Sequence, residues 1–578
     1  MASNKKRMLA VTAGALLAST ALAACGSDDD GGTKGEAGAK GGTLYFVNDT
    51  PIDHWDPQRT YVGTDISKQS RLVYRELVTF GTSEDPAESA TPLPDLATDT
   101  GTSTEGGKVW QFTLRDGVKW QDGKDITCED LKYGFSRNFA TDVIVGGPSF
   151  YPLSYLDVPA DADGTPQYKG PYTKKGQDLY DKAVTCDGKT ITYNFNKPWP
   201  DFNLAIAALH FASPYRADLD EGDKSNYQIF SNGPYKLEGS WDKASGGTFV
   251  RNDQYDPKTD ETDSRKALPD KITFKIGTKL ETMYDSILAD TGEASCTVSD
   301  RRLPPSKFSE IPALEEKGFY QNPESPYVDY LWFNTEKLPL EVRQALATAT
   351  NREGWITAGG GERSYIPAYS VVNPSVAGYK EVSTFKDIPL AGDPDAAKKI
   401  LTDAKIKTPY KIELRYPQSD TADKQAAALK ETWDKAGFDV KLSPEGDVYY
   451  SNIQKPDHNY DVGWAGWGAD WPSPMTVLPP LFDSRANITS GSLGQDYGKY
   501  VGKEFNEKIS EAQNATSLDD SIAALQEADQ ILADDMVYMP LEIAKFNWVT
   551  GSKVDFHTTP GSNSFPDLGL IGLRDGGC

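Results

Sequence analysis

Residues 410–442 read YKIELRYPQSDTADKQAAALKETWDKAGFDVKL, and this stretch decides the fold class. Tyr410 to Tyr416 has the composition of a strand. Ala422, Ala426, Leu429 and Trp433 then recur at helical spacing, and Gly437 stands where a C′ glycine ends a helix. Phe438 to Leu442 reads as the next strand. Strand, helix and strand make a βαβ unit, whose crossover is right-handed. The expected class is therefore α/β.

The same grammar continues on both sides. Asp393-Pro394 opens a helix in cap-then-proline order. A further strand, Tyr460 to Trp464, runs into Ala465-Gly466-Trp467-Gly468-Ala469-Asp470-Trp471-Pro472. Leu518, Ile522, Leu525, Ala528 and Leu532 mark an amphipathic helix over 518–536, followed by a strand near Tyr538 to Phe546. The first half differs. Thr43 to Asn48 reads as a short strand, and Val109 to Arg115 puts Trp110, Phe112 and Leu114 on one face before the Asp116-Gly117 turn. Thr127 with Asp130 forms a capping-box pattern for a helix through Phe139. Ile191, Tyr193 and Phe195 alternate after a turn at Asp187-Gly188. Hairpins with interspersed helices thus precede the βαβ half.

The N-terminus sets the compartment. Lys5, Lys6 and Arg7 precede an uncharged, mainly apolar run from Met8 to Ala21. A membrane span needs about 20 apolar residues, so this run reads as a signal peptide, residues 1–24. Leu22-Ala23-Ala24-Cys25-Gly26 resembles a bacterial lipobox, which makes Cys25 the lipidated first residue of the mature chain. Residues 25–42 have the composition of a flexible tether. Lipid on Cys25 would be the attachment to the outer face of the cell membrane, since no later stretch is long and apolar enough to span it.

Net charge is −25 over 578 residues, and loss of residues 1–24 would remove three positive charges. So acidic a surface argues against nucleic acid or anionic membrane as a partner, and it also keeps an exported protein soluble. With 12 Trp, 29 Tyr and 22 Phe, the mature chain exceeds a single core and predicts at least two lobes. Four cysteines besides Cys25 suggest two disulfides out of three possible pairings, with Cys128–Cys186 and Cys296–Cys578 the favoured set. No C-x-x-C, G-x-S-x-G or H-E-x-x-H motif is present, and Gly188-Lys189-Thr190 lacks the Gly-rich approach of a phosphate loop. No enzyme, metal site or cofactor is therefore expected.

Several blocks carry a family resemblance. Phe112 to Arg137, FTLRDGVKWQDGKDITCEDLKYGFSR, resembles the signature of the peptide/nickel/opine family (family 5) of extracellular solute-binding proteins. Gln121 stands where many members have His, and Cys128 where many have Ala. Asp56-Pro57, Leu77, Pro94-Asp95-Leu96-Ala97, Asn232-Gly233-Pro234-Tyr235 and Trp332-Phe333-Asn334-Thr335 leading to Val342-Arg343-Gln344-Ala345-Leu346 agree in order. The resemblance implies a class II periplasmic-binding-protein-like α/β fold with an enlarged first lobe. Lobe I would be 43–277 plus 545–578 and lobe II 278–544, hinged around the ligand.

Ligands of open α/β sheets bind beyond the carboxyl ends of strands. Tyr416 and Gln418 stand at one such end and Trp464, Trp467 and Asp470 at another. The glycines among them admit a ligand to the backbone, and the tryptophans offer apolar walls. In peptide-binding relatives the aspartate after this Gly-Trp motif pairs with the peptide α-ammonium, which implies that role for Asp470. Here Trp471-Pro472-Ser473-Pro474 departs from the acidic residue that many relatives carry before the last proline. The resemblance also directs the first-strand loop, with Asn48 and Trp55, toward the cleft, whereas Asn334 reads as structural.

The function implied is a substrate-binding lipoprotein of an ABC importer. It would act as a monomer, capture oligopeptides and deliver them to permease and ATPase subunits on separate chains. The twelve tryptophans keep an oligosaccharide ligand as the alternative. A surface receptor or chaperone that senses peptides without transport is the alternative of another class.

Overall fold

The computed structural model describes residues 38–162, 164–260, 263–559 and 564–578. The expected signal peptide, Cys25 and the tether up to residue 37 lie outside the described residues. The end of the expected tether is docked: Ala39 bridges Leu573, and the Gly41 amide donates to the Leu268 carbonyl at 2.9 Å.

Three sheets organise the chain, each with its own core. The first has five strands in the order Thr297–Val298, Thr43–Asn48, Lys271–Ile276, Gly246–Arg251 and Tyr235–Asp242. Thr43–Asn48 runs parallel to both neighbours and buries Leu44 and Phe46. Under this sheet Trp55, Trp241, Phe249 and Phe274 pack together with Phe546, Phe565 and Ile571 from the C-terminal return. Thr297–Val298 joins this sheet although it lies beyond the expected lobe boundary at 277.

The second sheet is an antiparallel meander of Thr102–Thr104, Val109–Thr113, Thr190–Asn194 and Val184–Asp187. The helix Cys128–Arg137 covers it, opened by the Thr127–Asp130 capping box. Phe112, Phe135, Tyr193, Trp199 and Phe202 fill the space between. The Cys128–Cys186 disulfide ties the helix start to the meander edge.

The third sheet has six strands in the order Tyr365–Pro367, Tyr538–Lys545, Glu324–Phe333, Val462–Gly468, Tyr410–Pro417 and Phe438–Glu445. The last three run parallel and the rest antiparallel. The helix Asp420–Lys435 connects the two outer parallel strands. Ser419 accepts from the Ala422 amide to start it, and Gly437 at φ +100° turns the chain back into the sheet. Its Ala422, Ala426, Leu429 and Trp433 are buried, as their spacing requires. The molecule is thus a mixed α/β fold in which a βαβ core faces a hairpin-rich half.

Candidate functional site

Asp470 follows the last residues of the Val462–Gly468 strand and is half-buried. Its Oδ2 accepts hydrogen bonds from the hydroxyls of Tyr61, at 2.9 Å, and Tyr151. Both tyrosines come from the hairpin-rich half, so the carboxylate bridges the two halves. Burial raises the Asp470 carboxyl, and the two hydroxyls pull it back by solvating the ionised form. Among the described residues no cation pairs with Asp470, and Oδ1 has no hydrogen-bond partner. The Asp470 amide donates to Thr476 Oγ1 at 3.1 Å, which fixes the turn that aims the side chain.

Asp470 lines a cavity of about 130 Å³ with Tyr61, Ile66, Phe80, Tyr327 and Phe565. A cavity for a drug-sized ligand is roughly 300–1,000 Å³, so this one is smaller than such a ligand fills. Tyr327 comes from the neighbouring strand and reaches over Gly468, where a Cβ would collide with its ring. Its hydroxyl also approaches Gly63 at the start of the helix Gly63–Leu72.

Trp471 locks the same junction. It is buried in the core of the meander half, its indole donates to Asp201 at 2.7 Å, and its ring meets Tyr151 edge-on at 4.6 Å. Trp464 and Trp467 are half-buried on opposite faces of their strand. Trp464 packs edge-on against Trp355 at 5.1 Å, and Trp467 donates to the Thr476 carbonyl at 2.8 Å. The other ten tryptophans are buried.

Three expected contributors are committed elsewhere. Asn48 is buried and donates to Asp300 at 2.5 Å, within a network that also holds Lys68 and Asp65. Trp55 is wholly buried against Trp241 and Phe249, with ring centroids 5.0 and 5.1 Å away. Tyr416 is buried and donates to Asp423 at 2.9 Å. Gln418 is exposed at the sheet end, apart from the cavity lining. Tyr61, Tyr151, Tyr327 and Trp471 were not singled out by the sequence. Trp471 adjoins Asp470, but the others are far from it in the chain and only the tertiary fold gathers them.

No group of three or more His, Cys, Asp and Glu side chains could hold a metal among the described residues. None of the described helices is long and apolar enough to cross a membrane.

The sequence model for bacterial extracellular solute-binding proteins, family 5 Middle, matches residues 91–488. The chain belongs to that family. Membership makes it a binding protein rather than an enzyme. Over 575 residues it is 26% identical to the oligopeptide-binding protein OppA of Bacillus subtilis (strain 168), covering 96% of this chain and 98% of that one. It is 24% identical to the dipeptide-binding protein of Escherichia coli (strain K12), covering 85% and 87%. Among solved structures it superposes on "Clavulanic acid biosynthesis oligopeptide binding protein 2" with a TM-score of 0.81 and 25% identity, covering 94% and 97%.

The blocks that carried the resemblance prove to be scaffold of the family 5 fold. Arg137, which ends the signature, makes a two-point ion pair with Asp56 at 2.6–2.7 Å and also reaches Asp220 at 2.8 Å, all wholly buried. Asp95 takes Arg75 and Arg265 at 2.7 and 2.8 Å, and Asn334 donates to the Tyr460 carbonyl at 2.8 Å. Cys296 and Cys578 form the second disulfide, which holds the C-terminal return against the first sheet.

Proposed function

We propose that this family 5 protein is the substrate-binding lipoprotein of an ABC importer, capturing oligopeptides between two lobes. Lobe I comprises 43–277, the strand Thr297–Val298 and 545–578, and lobe II supplies the six-stranded sheet. The observation that carries the reading is the state of Asp470. Two tyrosines steady one carboxylate oxygen, the other has no hydrogen-bond partner among the described residues, and the residue lines the cavity without a cation. That is the requirement for receiving a peptide α-ammonium, because a desolvated charge needs an opposite partner. The names of the relatives, oligopeptide-, dipeptide- and murein peptide-binding proteins, support a peptide guest. Burial of ten tryptophans leaves few rings for stacking sugars, which favours peptide over oligosaccharide.

Calorimetric titration tests the anchor. Asp470→Asn should weaken binding of free-amine pentapeptides by at least 100-fold and leave N-acetylated ones unchanged. Equal affinity of variant and native protein for the free-amine set would refute it. Lipidation at Cys25 is the proposed attachment, with the permease and ATPase as separate partners. Palmitate labelling that vanishes in Cys25→Ala checks the attachment.

A further inference from the structure

Asp329 and Glu542 stand directly opposite each other on the antiparallel strands Glu324–Phe333 and Tyr538–Lys545, with their side chains on one face of the sheet. Like charges in that position repel, so a sheet gains nothing from the pair. Glu542 is wholly buried and enters no ion pair among the described residues. Its neighbours are the Trp355 indole, the Gln425 amide and the Asp329 carboxyl. Gln425 is also wholly buried, and its Oε1 lacks a hydrogen-bond partner. Two carboxyls and an unpaired amide oxygen thus meet in a pit where neither acid is ion-paired, a lining that suits a guest rich in N–H groups.

The pit has an open side. On the third strand Gly466 lies opposite Asp329, and any Cβ there would collide with Asp329 Oδ1. Asp329, Trp464 and Gly466 remain half-buried. Two residues along the same strand face from Asp329 is Tyr327, which lines the Asp470 cavity. Only four residues separate Gly466 from Asp470, at most about 14 Å of chain. The cation that acts on Asp329 is Arg302, stacked over Phe546 at 4.6 Å and joined to neither carboxyl by an ion pair. One guanidinium thus faces two carboxyls. Burial accordingly raises both carboxyls above the usual range.

We propose that this pit is a specificity subsite for a basic side chain, lysine or arginine, within the first four residues of a bound peptide. Asp329 makes the contact, and Glu542 stands behind it. The inference rests on the peptide-capture reading above and adds a preference to it. An extended peptide advances about 3.3 Å per residue, which places the reach of the pit within four residues of the Asp470 anchor.

Two sets of alanine pentapeptides test it by calorimetry, one with a single lysine moved through each position and one with norleucine instead. At one of the first four positions lysine should bind at least 10-fold tighter than norleucine. Asp329→Asn should abolish that preference while keeping norleucine affinity within 2-fold. Glu542→Gln should reduce the preference and, by relieving the repulsion, raise the melting temperature, which separates a binding role from misfolding. Equal binding of both sets at every position, or a preference that survives Asp329→Asn, overturns the subsite while leaving peptide capture intact. Failure of every peptide to bind overturns the peptide reading and the subsite together.

Discussion

Glu76 illustrates what burial does to a single side chain here. Its carboxyl is wholly enclosed, accepts from the Ser213 hydroxyl, and has its second oxygen unpaired. Burial pushes it up to about 8. Below about pH 4.5 both folded and unfolded chains hold the proton, so the group costs nothing. As pH rises to about 8 the unfolded chain releases its proton first, and stability falls through that window. Glu76→Gln should therefore show a melting-temperature advantage that grows from pH 5 to 8 and then levels off. An advantage constant with pH would disprove the assignment. The same physics explains which site residues were legible. Asp470 was singled out by the family resemblance at its Gly-Trp strand end, and the structure places it on the cavity. Asn48, Trp55 and Tyr416 misled because a strand-end position says nothing of where a side chain turns. The core claimed Trp55, and buried hydrogen bonds claimed Asn48 and Tyr416.

Elements were more legible than contacts. The βαβ unit of 410–442 folds as its periodicity required, because Leu429 and Trp433 have no other way to leave water. The antiparallel arms of the six-stranded sheet were not visible, since the Tyr365–Pro367 and Tyr538–Lys545 strands are joined by pairing distant in sequence. The short Thr297–Val298 strand carries too few residues for any pattern. Its place is secured instead by Cys296, whose disulfide to Cys578 spans 282 residues, against 58 for Cys128–Cys186. In the chain-entropy view the longer loop stabilises more, by about 1.4 kcal/mol. Replacing Cys296 and Cys578 with serine should thus lower stability to denaturant more than replacing Cys128 and Cys186. The reverse order in matched unfolding curves would show that local packing, not loop closure, governs the two crosslinks.

At the scale of the whole molecule, Tyr61 and Tyr151 reach Asp470, and Trp471 reaches Asp201, across the two halves. A hinged protein samples open and shut forms, and such contacts bias the balance. Tyr61→Phe with Tyr151→Phe removes the hydroxyls and should enlarge the radius of gyration of the ligand-free protein in X-ray scattering. A radius unchanged by the double substitution would mean that these bonds do not hold the halves together. Under the import role proposed above, the phenols on a single oxygen of Asp470 also bear on traffic at the membrane. A carrier whose jaws can meet without cargo would compete with laden copies for the same doorway. Surplus vacant carrier would then slow uptake instead of speeding it, and a cell would gain by keeping its numbers matched to supply.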